Sequence, residues 1–126
     1  MEKNHQVLIV DDEPIVLEAA LTLLSAAGLH VTGAKTVAEA SLLASTHNFD
    51  LAILDMELPD GCGTQIVTQL HRTNSSLPII FISGIETHPE RLSYPHCFLK
   101  KPFRYPELLA ATNQLIAQRT EITNEL

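Results

Sequence analysis

The sequence predicts an α/β domain in which five parallel strands form a single doubly wound sheet with helices on both faces. Short, continuous apolar runs recur between polar breaks, a pattern typical of strands that are buried on both sides. Segments with apolar residues at helical spacing lie between the runs, so strands and helices alternate as they do in βαβ units. A length of 126 residues fits one compact domain.

The predicted strands are five short segments. In chain order they cover residues 7–10, 30–34, 51–54, 79–82 and 97–99. The segment at 30–34 is the weakest candidate. The apolarity of the other runs is continuous rather than alternating, so we expect helices to cover both faces of the sheet.

Four helical patterns lie between or after these strands. They cover residues 16–27, 37–44, 66–70 and 108–119. Gly28 directly follows the first pattern and is suited to ending a helix. Pro106 precedes the last pattern, and proline is favoured in the first turn of a helix.

The connection between the last two predicted strands interrupts this regular alternation. A crossover helix should lie between Gly84 and Pro95, but Pro89 leaves little room for it. Pro89 could begin a helix and Pro95 must end one, so roughly one or two turns fit. We therefore expect the fourth helix of the fold to be shortened or irregular.

A single domain should account for residues 1–126, because the chain contains no internal repeat and no convincing linker. We expect the folded core to cover about residues 6–118. Residues 120–126 look like a frayed tail or the start of a linker.

Composition and charge exclude several classes of protein. Lys and Arg number 8 against 15 Asp and Glu, so the formal net charge is −7 and the domain should not bind nucleic acid. No stretch approaches the roughly 20 apolar residues of a membrane span, so we expect no membrane contact. Two cysteines cannot form a disulfide framework, and the first residues resemble no secretory signal. We therefore expect a cytoplasmic location.

Polar side chains follow the predicted strands at the carboxyl end of the sheet, where open α/β sheets bind their ligands. These residues are Asp11 and Asp12 after the first strand, Asp55 and Ser83 after two inner strands, and Lys101 after the last strand. Each alone has a local explanation, such as a helix cap for Asp11 or Asp12 and a turn for Asp55 or Ser83. Their convergence on one end of the sheet favours a shared site.

Three neighbouring carboxylates raise one another's pKa values unless a cation neutralises them. Oxygen ligands of this kind suit Mg²⁺, and a lysine with a hydroxyl group suits phosphoryl oxygens. An aspartate can also accept a phosphoryl group covalently. Because the central strand places Asp55 between its partners, Asp55 is the candidate nucleophile.

This arrangement resembles the receiver domain of two-component response regulators over about residues 6–118. The motifs that carry the resemblance are Asp11–Asp12, Asp55, Ser83 and Lys101–Pro102–Phe103. Gly63 stands where the family usually begins its third helix. The resemblance implies a flavodoxin-like fold and a phosphorylatable signalling switch.

The resemblance also implies roles for individual residues. Asp55 would be the phosphoacceptor, while Lys101 and Ser83 would contact the phosphoryl group. The implied Mg²⁺ ligands are Asp12, Asp55, the backbone carbonyl of Glu57 and, through water, Asp11. Ser83 and Phe98 would form the switch, in which Phe98 turns inward by apolar burial alone. Glu57 and Ile85 would flank the path of the attacking water, and we expect the apolar Ile85 to slow hydrolysis.

Partners follow from the same resemblance. A histidine kinase or a phosphotransfer protein would donate the phosphoryl group from a phosphohistidine, and the domain would control an unknown target or an attached output domain. A phosphorylation-dependent dimer is one form that this output could take. We expect no enzyme activity beyond the domain's own phosphorylation and dephosphorylation.

Two alternative functions stay open. A receiver-like module could bind partners without being phosphorylated. The interval from Ser83 to Lys101 is short, and it lies in the region that receivers commonly use to dimerise or dock. This short interval is the reason for retaining the alternative. A small phosphatase with an aspartate nucleophile is the other. Such enzymes tend to carry Asp-x-Asp on the first strand, whereas this chain has the adjacent pair Asp11–Asp12.

Overall fold

A computed structural model describes residues 4–85 and 92–125, with side chains described as far as residue 118. The strands are β1 (Gln6–Val10), β2 (His30–Ala34), β3 (Leu51–Asp55), β4 (Ile79–Ser83) and β5 (His96–Lys100). The helices are α1 (Pro14–Ala26), α2 (Val37–Thr46), α3 (Thr64–Thr73) and α4 (Tyr105–Glu125). All strand pairs are parallel, in the order β2-β1-β3-β4-β5. The predicted fold class and all five strands are confirmed.

The two faces of the sheet carry separate apolar cores. Helices α2 and α3 cover one face, where the buried side chains include Leu8, Leu54, Phe81, Ala40, Ile66 and Leu70. Helices α1 and α4 cover the other, with Ile9, Ile53, Ile80, Leu17, Leu24 and Leu108. Successive residues of a strand therefore serve different cores, which explains why the strands are continuously apolar.

Position in the sheet also explains the weakest strand signal. The inner strands β3 and β4 are buried at every residue. The edge strand β2 is buried only at Ala34, so His30 and Thr32 are tolerated there. An edge strand lacks a neighbour on one side and needs less apolar surface.

The ends of α1 follow simple backbone rules. Pro14 occupies the first turn, where the missing amide hydrogen costs nothing. After the helix, Gly28 has a φ of 92°, and the Leu29 amide donates to the Leu24 carbonyl at 3.2 Å. The predicted role of Gly28 as a helix-ending residue is confirmed.

The start of α2 is tied to the loop that follows β3. Thr36 Oγ1 accepts a hydrogen bond from the Glu39 amide at 3.1 Å. The Asp60 carboxylate accepts hydrogen bonds from the Val37 and Ala38 amides at 2.8 and 3.1 Å. The bond from Val37 holds the pKa of Asp60 below its usual value. Asp60 therefore caps a helix distant in sequence and restrains the loop after Asp55.

Two regions complete the comparison with the predicted elements. The described residues 84–85 and 92–95 are not helical, and the remaining part of the predicted short helix, 86–91, lies outside the described residues. Helix α4 continues to Glu125, beyond residue 119, where the predicted helical pattern ends. Residues 107–125 contain neither glycine nor proline, so nothing interrupts the helix.

Among the helices that the structure describes, none is long and apolar enough to cross a membrane.

Two leucine-to-alanine substitutions test the position of the core. Leu8 is fully buried in the sheet, whereas the side chain of Leu42 on α2 is 66% exposed. We expect Leu8→Ala to lower the free energy of unfolding by about 2–5 kcal/mol, because it leaves a cavity. Leu42→Ala should change it by less than about 0.5 kcal/mol. Urea unfolding of both variants measures this, and equal losses would contradict the assignment of Leu8 to the core.

Candidate functional site

The register of the parallel strands brings the predicted site residues to one end of the sheet. Asp11 follows β1 directly, Asp55 is the last residue of β3, and Ser83 is the last residue of β4. Lys101 follows β5, whose last residue pairs with Ser83. Because all strands point the same way, these side chains meet at the carboxyl end of the sheet, as predicted.

Lys101 is the centre of this site. Its Nζ atom lies 2.8 Å from Glu13 Oε1, 3.0 Å from Asp11 Oδ2 and 3.0 Å from Asp55 Oδ2. Burial alone would lower the pKa of the ammonium group, but contacts with three carboxylates outweigh burial and raise it. Lys101 therefore stays charged and neutralises part of the acidic cluster. The Lys101–Pro102 peptide bond is cis.

Asp55 is almost completely enclosed, with 1% of its surface exposed. Burial raises the pKa of its carboxyl group, and the charge of Asp11 acts in the same direction. Two contacts oppose this rise. Asp55 Oδ1 accepts a hydrogen bond from the Glu57 amide at 2.9 Å, and Oδ2 accepts one from Lys101 at 3.0 Å. The carboxylate is thus held in a fixed orientation by main chain on one side and an ammonium group on the other.

The carboxylates of Asp11, Asp12 and Asp55 form a cluster whose donor atoms all lie within 4.8 Å of one another. Asp11 Oδ2 is buried and, apart from the ammonium group nearby, accepts no hydrogen bond of good geometry from the described residues. A buried carboxylate oxygen with incomplete hydrogen bonding is suited to a cation. This all-oxygen donor set therefore fits a hard divalent ion such as Mg²⁺.

Asp11 and Asp12 do not cap α1. The residue that precedes α1 is Glu13, and its side chain makes no capping hydrogen bond. Asp11 Oδ1 instead accepts a hydrogen bond from the Glu13 amide at 2.9 Å, which tightens the turn after β1. The local explanation for Asp11 and Asp12 as caps of α1 is therefore wrong.

The side chain of Glu57 reaches the loop after β4. Ser83 Oγ donates a hydrogen bond to Glu57 Oε1 at 2.6 Å, and the Gly84 amide donates to Glu57 Oε2 at 3.2 Å. The bond from Ser83 is the main cause that lowers the pKa of Glu57. Ser83 Oγ also accepts a hydrogen bond from the Ile85 amide at 3.0 Å. Ser83 and Ile85 were predicted at this site, and both lie beside Glu57.

Gly63 allows the loop after β3 to turn back over the site. Its amide donates a hydrogen bond to the Asp55 carbonyl at 3.1 Å. A Cβ atom at position 63 would collide with that carbonyl oxygen, so the close approach requires glycine. The glycine noted in the sequence thus fixes the main chain of Asp55.

Phe98 is the middle residue of β5 and is half-buried. Its ring stacks on Phe81 with centroids 4.8 Å apart and planes at 15°. Phe98 also lines a cavity of about 240 Å³ together with Met56, Val67 and Tyr94. The residue predicted as the switch aromatic therefore packs beside open apolar space, two strands away from Asp55.

Two contacts of the site were not predicted from the sequence. Glu13 contacts Lys101 through its side chain, and Glu57 holds Ser83 through its carboxylate rather than only through its backbone. Glu13 stands next to Asp11–Asp12, so a third acidic residue in the same loop was the available signal. The contact of Glu57 had no signal, because it depends on the conformation of two loops.

Comparison with known proteins identifies the family. Residues 7–113 match the family model of the response regulator receiver domain. The chain belongs to this family. This confirms the resemblance inferred from the sequence motifs, and the arrangement of Asp11, Asp55, Ser83 and Lys101 fits it.

Individual relatives agree with this result. The transcriptional regulatory protein CusR of Escherichia coli is 33% identical over 124 residues, which are 95% of this chain and 55% of CusR. The receiver domain of HemR from Leptospira biflexa superposes with a TM-score of 0.80 at 30% identity, covering 90% of this chain and 94% of that chain. A CheY-like receiver domain from Methanospirillum hungatei has a TM-score of 0.83 at 23% identity, covering 94% and 98%. This receiver chain spans about half the length of CusR.

Removing one carboxylate tests whether the acidic cluster of this receiver domain binds Mg²⁺. We expect Asp12→Ala to weaken Mg²⁺ binding by at least about tenfold. Removing a residue that only orients a metal ligand already weakens metal binding by about that factor, and removing a ligand should weaken it at least as much. Mg²⁺ titration followed by the NMR signals of Asp55 and Lys101 measures this. Glu18→Gln, which removes an exposed charge on α1, is the matched control and should bind as the unmodified protein does. Equal Mg²⁺ affinity in the Asp12 and Glu18 variants would mean that Asp12 is not a ligand.

Proposed function

We propose that this receiver domain is a phosphorylation switch in which Asp55 accepts a phosphoryl group from the phosphohistidine of a histidine kinase or a phosphotransfer protein. The N–P bond of a protonated phosphohistidine breaks as a carboxylate oxygen of Asp55 bonds to phosphorus, and neutral imidazole leaves. The observation that supports this most is the close approach of the Asp55 carboxylate both to the Lys101 ammonium group and to the carboxylates of Asp11 and Asp12.

The residues around Asp55 have distinct roles in this proposal. Lys101 stabilises the negative charge of the transferred group, and Ser83 donates its hydroxyl hydrogen to a phosphoryl oxygen once Asp55 is modified. The Glu57 amide keeps the acceptor carboxylate in one orientation, which favours attack on an in-line phosphorus.

The cofactor in this proposal is Mg²⁺, held by Asp12, Asp55 and the Glu57 carbonyl, and by Asp11 through water. When bound, it neutralises charge on the carboxylates and on the phosphoryl oxygens. The clustering of the Asp11, Asp12 and Asp55 carboxylates is the structural support for a cation at this place.

The output of the proposed switch is a change of conformation. Phosphorylation adds up to about two negative charges at Asp55, which draw Ser83 towards the site and shift Phe98 to an inward position. The domain then controls a partner or an attached output domain, and a phosphorylation-dependent dimer is one such output. It acts as a switch rather than as an enzyme with a separate substrate. The cytoplasmic location stays a prediction.

Labelling with a small phosphodonor tests the proposal. With acetyl phosphate and Mg²⁺, the protein should gain one acid-labile phosphoryl group on Asp55. Asp55→Asn and Asp12→Ala should remove this labelling, because the first lacks the nucleophile and the second lacks a metal ligand. Glu18→Gln is the control and should be labelled normally. Mass spectrometry measures the gain, and undiminished labelling of Asp55→Asn would contradict the proposal.

Two other outcomes would assign a different function. If beryllofluoride, a mimic of the phosphoryl group, leaves the NMR signals of Asp55, Ser83 and Phe98 unchanged, the domain is an interaction module without phosphorylation. If the protein turns over a generic phosphate ester, it is a phosphatase.

The lifetime of the aspartyl phosphate depends on the residues that border the path of water. Ile85 is 63% exposed beside Ser83, and its apolar side chain cannot orient an attacking water. We expect the phosphorylated protein to persist for longer than minutes with Mg²⁺. Ile85→Asn should shorten the half-life about tenfold, a barrier change of about 1.4 kcal/mol. Ile15→Asn, at an exposed isoleucine on α1, is the control. Decay of the unmodified protein within seconds, followed by acid-labile phosphate, would refute this.

A further inference from the structure

The carboxylate of Glu57 occupies hydrogen-bond donors that the proposed phosphoryl group needs. Ser83 donates its hydroxyl hydrogen to Glu57 Oε1 at 2.6 Å, and Gly84 donates its amide hydrogen to Glu57 Oε2 at 3.2 Å. The Ile85 amide donates to Ser83 Oγ at 3.0 Å, so the hydroxyl group is engaged as donor and as acceptor. Ser83 itself is buried, with 5% of its surface exposed.

A serine hydroxyl group has a single hydrogen to donate. It cannot donate that hydrogen to the Glu57 carboxylate and to a phosphoryl oxygen at the same time. Both acceptors are anionic, and hydrogen bonds to ionised oxygens are the strong ones. The two acceptors therefore exclude each other at Ser83.

We propose that Glu57 is a positioning residue that acts as an internal competitor of the phosphoryl group, holding Ser83 and the loop after β4 in the unmodified conformation. The inference rests on the function proposed for Asp55. It adds a residue that sets how readily the switch responds, and the Glu57–Ser83 contact must break before Ser83 can bind the modified aspartate.

The surroundings of Glu57 make this contact releasable. Its main chain is fixed by the hydrogen bond to Asp55 Oδ1, while its side chain is exposed to solvent. The carboxylate can therefore turn into water without burying a charge. Glu57 also lines a cavity of about 350 Å³ with Gly84 and Lys101. Negative charge added at Asp55 repels a carboxylate in this cavity, so phosphorylation itself favours release.

A double-mutant cycle tests the competition. The measured quantity is the dissociation constant of beryllofluoride with Mg²⁺, taken from the NMR signals of Ser83 and Gly84. Glu57→Ala should bind about tenfold more tightly, equivalent to about 1.4 kcal/mol. In a Ser83→Ala background the same substitution should change the dissociation constant by less than about threefold. Ser83→Thr, which keeps a hydroxyl group, should restore the full effect of Glu57→Ala.

A second carboxylate, Glu13, distinguishes the effect of the hydrogen bond to Ser83 from the effect of negative charge near the site. Glu13 borders the same cavity and contacts Lys101, but not Ser83. Removing its charge with Glu13→Gln should have the same effect whether or not Ser83 keeps its hydroxyl group. If Glu57→Ala fails to tighten binding, or tightens it equally without the hydroxyl group, the competition is overturned while the phosphorylation switch stands. If the unmodified protein binds no beryllofluoride and takes no label, both proposals fail.

Discussion

The ammonium group of Lys101 is the interaction on which the arrangement of this site depends. It lies 3.0 Å from Asp11 and 3.0 Å from Asp55, two buried carboxylates that come from different strands. Buried carboxylates this close repel each other, and the cost of leaving them unpaired is large. The Lys101 amide also donates to the Ser83 carbonyl at 2.7 Å. One residue therefore connects the carboxyl ends of β1, β3, β4 and β5.

Burial opposes the proposed role of Asp55 as a nucleophile, and the neighbours of Asp55 offset part of this effect. A carboxylate must be ionised to attack phosphorus, yet the burial that excludes water from Asp55 raises its pKa. The Glu57 amide and Lys101 both favour the ionised form. A divalent cation among the carboxylates would act in the same direction as Lys101. The site thus combines an enclosed candidate acceptor with two contacts that favour its ionised form.

The sequence predicted the positions of site residues better than their side-chain contacts. Continuous apolar runs predict the parallel sheet. Parallel strands bring Asp55, Ser83 and Lys101 together at one end of the sheet, and this does not depend on the conformation of the loops. The contacts of Glu13 and Glu57 depend on loop conformation, which no period in the sequence encodes. Helix α4 also extends beyond the last apolar pattern, because the residues after 119 are mostly polar but include none that breaks a helix.

Ser83, which Glu57 holds, shares a strand with the residue that contacts Phe98. Ser83 and Phe81 are two residues apart on β4, so their side chains lie on the same face of the sheet. Phe81 pairs in register with Phe98 on β5, and their rings stack. A change in the hydrogen bonds of Ser83 therefore acts on the face where Phe98 packs beside its cavity. Since interiors are close-packed, a ring beside open space is freer to change position than a ring packed on all sides, and the proposed inward shift of Phe98 needs such freedom.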